Sequence, residues 1–234
     1  SEAPVLNARI RKRWTRGDFP VGLVGSDRDM TYPITFLGDN PIVLKELLKG
    51  KGKFSKILGN SERPMIIVGQ GALTRPNGAL VLSAARKIAI KYGAINDDWN
   101  GFNVLHKAAA RVGGLDLGFV PNEGGLDVAG ILQGACNGSI KFVYLLGADE
   151  IDTSNLGDAF VVYQGHHGDA GANRADVILP GAAYTEKNAT YVNTEGRVQL
   201  SRLAVYPPGD AREDWTVIRA LSEAVGHKLP FDDL

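Results

Sequence analysis

Cysteine is almost missing from this sequence: Cys136 stands alone among 234 residues. That excludes a disulfide framework, and it excludes a four-cysteine zinc or iron–sulfur site built from this chain. Net charge is missing too, with 26 basic residues against 26 acidic ones, so nothing resembles the broad basic footprint of a nucleic-acid binder. No apolar run approaches the length of a membrane span. The longest, such as residues 142–146, suit buried strands. There is no Gly-Lys-Ser/Thr, hence no P-loop, and no fixed-period repeat, low-complexity tract or Pro/Ser-rich linker. Glycine, by contrast, is plentiful. Its 29 copies come to about 12%, well above ordinary usage, and imply many tight turns. Apolar residues at 44% and charged residues at 22% are those of a globular chain, long enough for one large α/β domain or two small ones.

Short β-type runs alternate with helical ones. The clearest strands are residues 21–24, 65–68, 142–146, 159–163 and 176–179, each continuous and apolar, and most run into glycine: Gly25, Gly69, Gly147, Gly165. Such strands are buried on both faces of a parallel sheet. Helices are expected after Asn40-Pro41, after Pro76, after Asn100 (with Leu105, Ala108, Ala109 and Val112 as its apolar face), over residues 126–136, and after Asp210, where Glu213 completes a capping box and Gly226 a stop. Residues 190–193 and 197–200 read as two extended pieces around Thr194-Glu195-Gly196, a hairpin. Strand–helix alternation with glycine at the strand ends predicts a doubly wound, mostly parallel α/β sheet with helices on both faces. Residues 1–234 are expected to form one domain, with a subdivision near 96–100 where polar residues cluster. Ligands of such sheets bind beyond the carboxyl ends of the strands.

The basic N-terminal stretch carries Arg9, Arg11, Lys12, Arg13 and Arg16 against Glu2 alone. A transit peptide would be Arg-rich and acid-poor in this way, but Pro4 followed by Val5, Leu6 and Ile10 favours a folded helix whose basic face meets water or a partner.

Polar groups at the strand ends are the candidates for chemistry, each with a plain structural reading beside it. Gly69-Gln70-Gly71 lacks the third glycine of a dinucleotide fingerprint, since position 74 is Thr74; a strand-to-helix turn explains it as well. His166 and His167 precede Gly168-Asp169. On an extended segment adjacent histidines point apart and suit one metal poorly, while a His–Asp169 pair could do acid–base work; loop hydrogen bonding is the commoner use. Asp149 and Glu150 could meet magnesium or a ribose hydroxyl, or simply water. Glu186 and Lys187, then Asn193, Glu195 and Arg197, crowd one excursion. Arg197 could hold a phosphate bidentately, or pair with Glu195 to shape the turn. Cys136 has no basic neighbour in sequence and reads as inert.

The run Phe160-Val161-Val162-Tyr163-Gln164-Gly165-His166-His167-Gly168-Asp169, then Ala175-Asp176-Val177-Ile178-Leu179-Pro180-Gly181-Ala182-Ala183-Tyr184-Thr185-Glu186-Lys187, then Tyr191-Val192-Asn193-Thr194-Glu195-Gly196-Arg197, resembles the large iron–sulfur subunit of respiratory complex I, NADH:ubiquinone oxidoreductase. Pro207-Pro208-Gly209, Arg212-Glu213-Asp214-Trp215 and, at the other end, Glu2-Ala3-Pro4 with residues 7–12 continue the likeness. More broadly, the Ala-Asp-Val-Ile-Leu-Pro and Asn-Thr-Glu-Gly-Arg pieces resemble the molybdopterin oxidoreductases, whose corresponding segments help cradle a pterin–dinucleotide.

This resemblance implies a molybdopterin-oxidoreductase-like fold that lost its molybdenum cofactor, leaving Asn193, Glu195 and Arg197 as vestigial pterin-site residues and no catalytic, cofactor or metal ligand in this chain. The 2Fe-2S and 4Fe-4S clusters of such a subunit are held by cysteines upstream. With Ser1 in place of methionine, the chain is expected to be processed or excised, its sheet incomplete on the N-terminal side with an apolar flank. Implied partners are other subunits of the peripheral arm, with no nucleic acid and no membrane span. The implied location is the matrix side of the mitochondrial inner membrane, to which His166-His167 lean, or the cytoplasmic side of a bacterial membrane. Two other functions stay open: the cofactor-binding part of an active molybdopterin oxidoreductase, and a nucleotide-binding module using Gly69 and Gly71.

Overall fold

A proline that fits the first turn of a helix and three basic residues in its last turn make α1 (Pro4–Trp14) the first element of the computed structural model, which describes residues 3–233. The helix buries no residue. It is held by the Trp14 ring stacked on Tyr32 at 6.1 Å and by the Tyr32 hydroxyl, which donates to Asn7 at 2.8 Å. The basic face is in water, as the folded-helix reading requires.

The chain divides into two compact units between Ala108 and Ala109; residues 96–100 lie inside the first. There β1 (Gly22–Val24) pairs in parallel with β2 (Thr35–Gly38), and β3 (Ile66–Val68) with β4 (Phe102–Val104). Helices α2 (Ile42–Leu48), α3 (Lys53–Gly59), α4 (Gln70–Leu73) and α5 (Gly78–Lys91) complete it. Asn40 accepts the Ile42 N–H at 2.9 Å, and Gly50, at φ +74°, lets the chain turn out of α2. Leu47, Leu58 and Ile88 form the core of this unit, with Leu37, Val43, Phe54 and Ile66 packed against them.

The helix expected after Asn100 is not there. The Asn100 side chain accepts the Phe102 N–H at 3.1 Å, a turn that sends Phe102–Val104 into extended pairing with Ile66–Val68. Helical backbone resumes only at α6 (Arg111–Asp116), in the second unit. Strands β2 and β4 and helix α3, all short, carry no periodicity long enough to read from sequence.

The second unit continues with α7 (Val128–Cys136), whose first turn is capped by Asp127 accepting from Gly130 N at 2.8 Å. Then come β5 (Phe142–Leu146), a 3₁₀ turn (Thr153–Leu156), β6 (Phe160–Gly165), α8 (Ala170–Arg174) and β7 (Val177–Pro180). These three strands pair in parallel in chain order. The antiparallel hairpin β8 (Ala189–Val192) and β9 (Val198–Ser201) sits where the sequence predicts it, before α9 (Asp214–Ala224). That last helix starts one turn later than the capping-box reading. Arg212 is tied to Gly181 in an isolated parallel bridge, so the backbone there is extended, and Glu213 flanks the helix instead of Asp210.

The architecture is therefore mixed α/β, with mostly parallel strands in small sheets. One face of β5–β6–β7 is dry: Val143, Leu145, Val161 and Tyr163 pack with Ala135 of α7, Leu156 of the 3₁₀ turn and Ala172 of α8. On the other face burial is partial. Gln164 is fully buried, but Phe142 and Phe160 are about half exposed, at 54% and 48%. Their rings stack on each other at 6.3 Å.

Candidate functional site

At the carboxyl ends of β5, β6 and β7 two of the sequence-selected polar residues, Asp149 and Lys187, enter hydrogen-bonded networks. Gly147, at φ +59°, turns the chain out of β5 and delivers Asp149 beside the end of β6. There both oxygens of the Asp149 carboxylate are engaged. One oxygen accepts the Tyr163 hydroxyl at 2.7 Å and the other accepts the Gly171 N–H in the first turn of α8 at 3.0 Å. The Tyr163 ring lies where two glycines make room. A Cβ at Gly165 would meet its hydroxyl at 2.2 Å, and one at Gly171 would meet its ring at 2.8 Å. Burial pushes the Tyr163 hydroxyl up to about 12, helped by the hydrogen bond to Asp149 and the nearby Asp149 and Asp169 charges. A phenol held that high is a poor acid or base near neutral pH. Glu150 is exposed.

A second chain of contacts runs along the opposite face of the same sheet. Tyr144 donates to Gln164 through a short hydrogen bond, and the Gln164 amide donates to the backbone oxygen of Asp214 at 3.2 Å and to its carboxylate at 3.0 Å. Lys187 closes the series by pairing with the second Asp214 oxygen. Burial, and then the Asp214 charge, raise the Tyr144 hydroxyl above its ordinary range. Gln164 and Asp214 were not selected from the sequence as site residues. The available signal was one fully polar side chain near the end of an otherwise apolar strand, and a buried amide of that kind has to be hydrogen-bonded.

The remaining candidates stay apart. His166 and His167 are exposed, and their rings approach to 4.3 Å. This corrects the expectation that they point apart: the chain has left β6 at Gly165, so strand alternation no longer applies. Even so, among the described residues no three His, Cys, Asp or Glu side chains are grouped to hold a metal. Glu186 accepts the Ala183 N–H at 2.9 Å, closing its own turn. Asn193 accepts two backbone N–H groups, from Glu195 at 3.0 Å and Arg197 at 2.9 Å, while Glu195 and Arg197 lie exposed at the hairpin tip. In the first unit, Gln70 meets His106 Nδ1 at 3.3 Å, and α4 after Gly69 is a single turn. Cys136 is exposed at the end of α7.

No helix among the described residues is long and apolar enough to cross a membrane. Compared with known proteins, the chain is 49% identical to the NADH-ubiquinone oxidoreductase 75 kDa subunit of Reclinomonas americana, over 99% of this chain and 33% of that protein. It is 48% identical to the mitochondrial 78 kDa subunit of Candida albicans, over 100% of this chain and 31% of that protein. It is also 45% identical to an NADH-quinone oxidoreductase subunit of Rickettsia bellii, over 95% and 31% respectively. The chain thus spans about a third of the length of these relatives and is homologous to that third of the complex I subunit. The family model of the molybdopterin oxidoreductases matches residues 1–224, and this chain belongs to that family.

Proposed function

We propose that this chain is the scaffold portion of a large iron–sulfur subunit of NADH:ubiquinone oxidoreductase, contributing packed structure to a peripheral arm in which other segments carry the electrons. The observation that supports this best is the state of the strand-end groups. Asp149, Tyr163, Gln164, Asp214 and Lys187 satisfy one another, where a ligand site would present polar groups converging on an open space. Donor chemistry agrees: iron–sulfur clusters take cysteine thiolates, and this sequence has one cysteine. On this reading the 2Fe-2S and 4Fe-4S clusters belong to other parts of the longer polypeptide. Asn193, Glu195 and Arg197 then serve the hairpin alone.

The likeness to mitochondrial and rickettsial subunits supports a place on the matrix side of the mitochondrial inner membrane, or on the cytoplasmic side of a bacterial one, among other subunits of the arm. The family match keeps one competitor, an active molybdopterin oxidoreductase. Affinity purification of the full polypeptide from its native membranes decides between them. Co-purification with NADH:quinone activity, iron and no stoichiometric molybdenum or tungsten is the expected result. Stoichiometric molybdenum or tungsten overturns the scaffold reading.

A further inference from the structure

Helix α6 ends in an ordered apolar projection. Its backbone is closed by its own hydrogen bonds: Leu117 N to Gly113 O at 3.0 Å, Gly118 N to Leu115 O at 3.0 Å and Phe119 N to Gly114 O at 2.8 Å. Gly118, at φ +70°, makes the turn, the glycine-terminated helix ending that satisfies the last carbonyls. The base is firm as well. Gly113 lies against Val192 of β8, where an added Cβ would touch the Val192 side chain at 3.4 Å, and Val192 is buried.

On this fixed base Leu117 is 89% exposed and Phe119 84%. Leu115, Val120, Leu126 and Val128 are also exposed within the same stretch of chain. Single exposed apolar residues are ordinary, but a concentration of them marks an interaction surface, and a protruding Leu–Phe pair has the form of interface anchors that fill a pocket. The stretch is acidic in sequence. From Arg111 to Asp127 one basic residue stands against Asp116, Glu123 and Asp127, all exposed. Over residues 109–234 nine basic residues stand against seventeen acidic ones, a net charge of −8.

We infer that the Leu117–Phe119 projection docks another protein chain, one offering an apolar cleft with a lysine- or arginine-rich rim. Apolar burial supplies the affinity, and the opposite charges select and orient the partner. The inference rests on the reading of this chain as a component of a multi-subunit assembly and names the surface it uses.

The test places a photo-crosslinking phenylalanine, Phe119→p-benzoylphenylalanine, in the full polypeptide within its native assembly. Irradiation is expected to join position 119 to a different protein chain, at a peptide that combines apolar residues with Lys or Arg. The double variant Leu117→Asp, Phe119→Asp is expected to lower recovery of that same chain by at least about tenfold, while its own thermal transition stays in place. Crosslinks confined to its own polypeptide, to a second copy, or to no protein overturn the docking inference while leaving the assembly reading intact. A tagged wild-type polypeptide that enters no assembly overturns both.

Discussion

Tyr163 and Asp149 are joined by a 2.7 Å hydrogen bond from phenol to carboxylate, at a position where Tyr163 is only 1% exposed. The pair ties β6 to the loop after β5, and because the second Asp149 oxygen takes Gly171 N–H, to α8 as well. The first prediction comes from its titration. The Tyr163 hydroxyl rises from 10.0 to about 12 on folding, so the folded chain keeps its proton where the unfolded chain loses it. The contribution is complete below pH 10 and declines as pH rises from 10 towards 12. Denaturant melts of wild type and Tyr163→Phe between pH 8 and 12 should show the decline in wild type and a shallower slope in the variant. Parallel slopes would refute the assignment.

Gln164 is 0% exposed and serves Tyr144 on one side and Asp214 on the other. Gln164→Leu keeps the size of the side chain but takes a bond from Tyr144 and from Asp214, both half-buried, while Asp214 keeps Lys187. The expected cost is about 1–3 kcal/mol for the lost bonds. Tyr144→Phe removes one terminal donor and should cost less. Equilibrium unfolding of the two variants checks the order, and the reverse order would show that the network is not centred on the amide.

The hairpin separates structural from cofactor roles. Asn193 supports two backbone N–H groups, whereas the Arg197 side chain is exposed. Asn193→Ala should therefore destabilise by about 1 kcal/mol, and Arg197→Ala should change stability by less than about 0.5 kcal/mol, as surface substitutions do. If Arg197 still held a pterin phosphate, Arg197→Ala would instead lower cofactor retention in the purified full polypeptide.

The contrast between strands and loops explains how much was legible. Phe142–Leu146 is an unbroken apolar run bounded by Lys141 and Gly147, and the strand occupies those same five residues. The hairpin was readable for a related reason, since Thr194-Glu195-Gly196 breaks two extended pieces and Gly196 has φ +75°. Phe102–Val104 was not readable. Three residues cannot display a period, and the deciding force is pairing with Ile66–Val68, thirty-six positions away. The site divides in the same way. That Asp149 stands at a strand end follows from sequence, but that both its oxygens are consumed depends on Tyr163 and Gly171, fourteen and twenty-two positions away. Local pattern gives placement; partners come from the fold.

The last prediction concerns the open side of β5–β6–β7. Parallel strands are ordinarily covered on both faces. Here Phe142, Leu146, Phe160 and Val177 are each more than 40% exposed on one side of the sheet, where the register sets Phe142 opposite Phe160. Among the described residues β5 is an edge strand of this sheet, and an edge strand beside an apolar face favours association with other chains. Residues 1–234 expressed alone should self-associate at micromolar concentration, and the association should persist in high salt, since screening weakens charges but not apolar burial. Phe142→Lys with Val177→Lys should shift the population towards monomer, because both positions face water and neither contributes to the Val143 side of the core. Sedimentation velocity reads the outcome directly. A wild-type chain that is monomeric at every concentration would mean that the exposed stack is tolerated in water and that this face has no adhesive role.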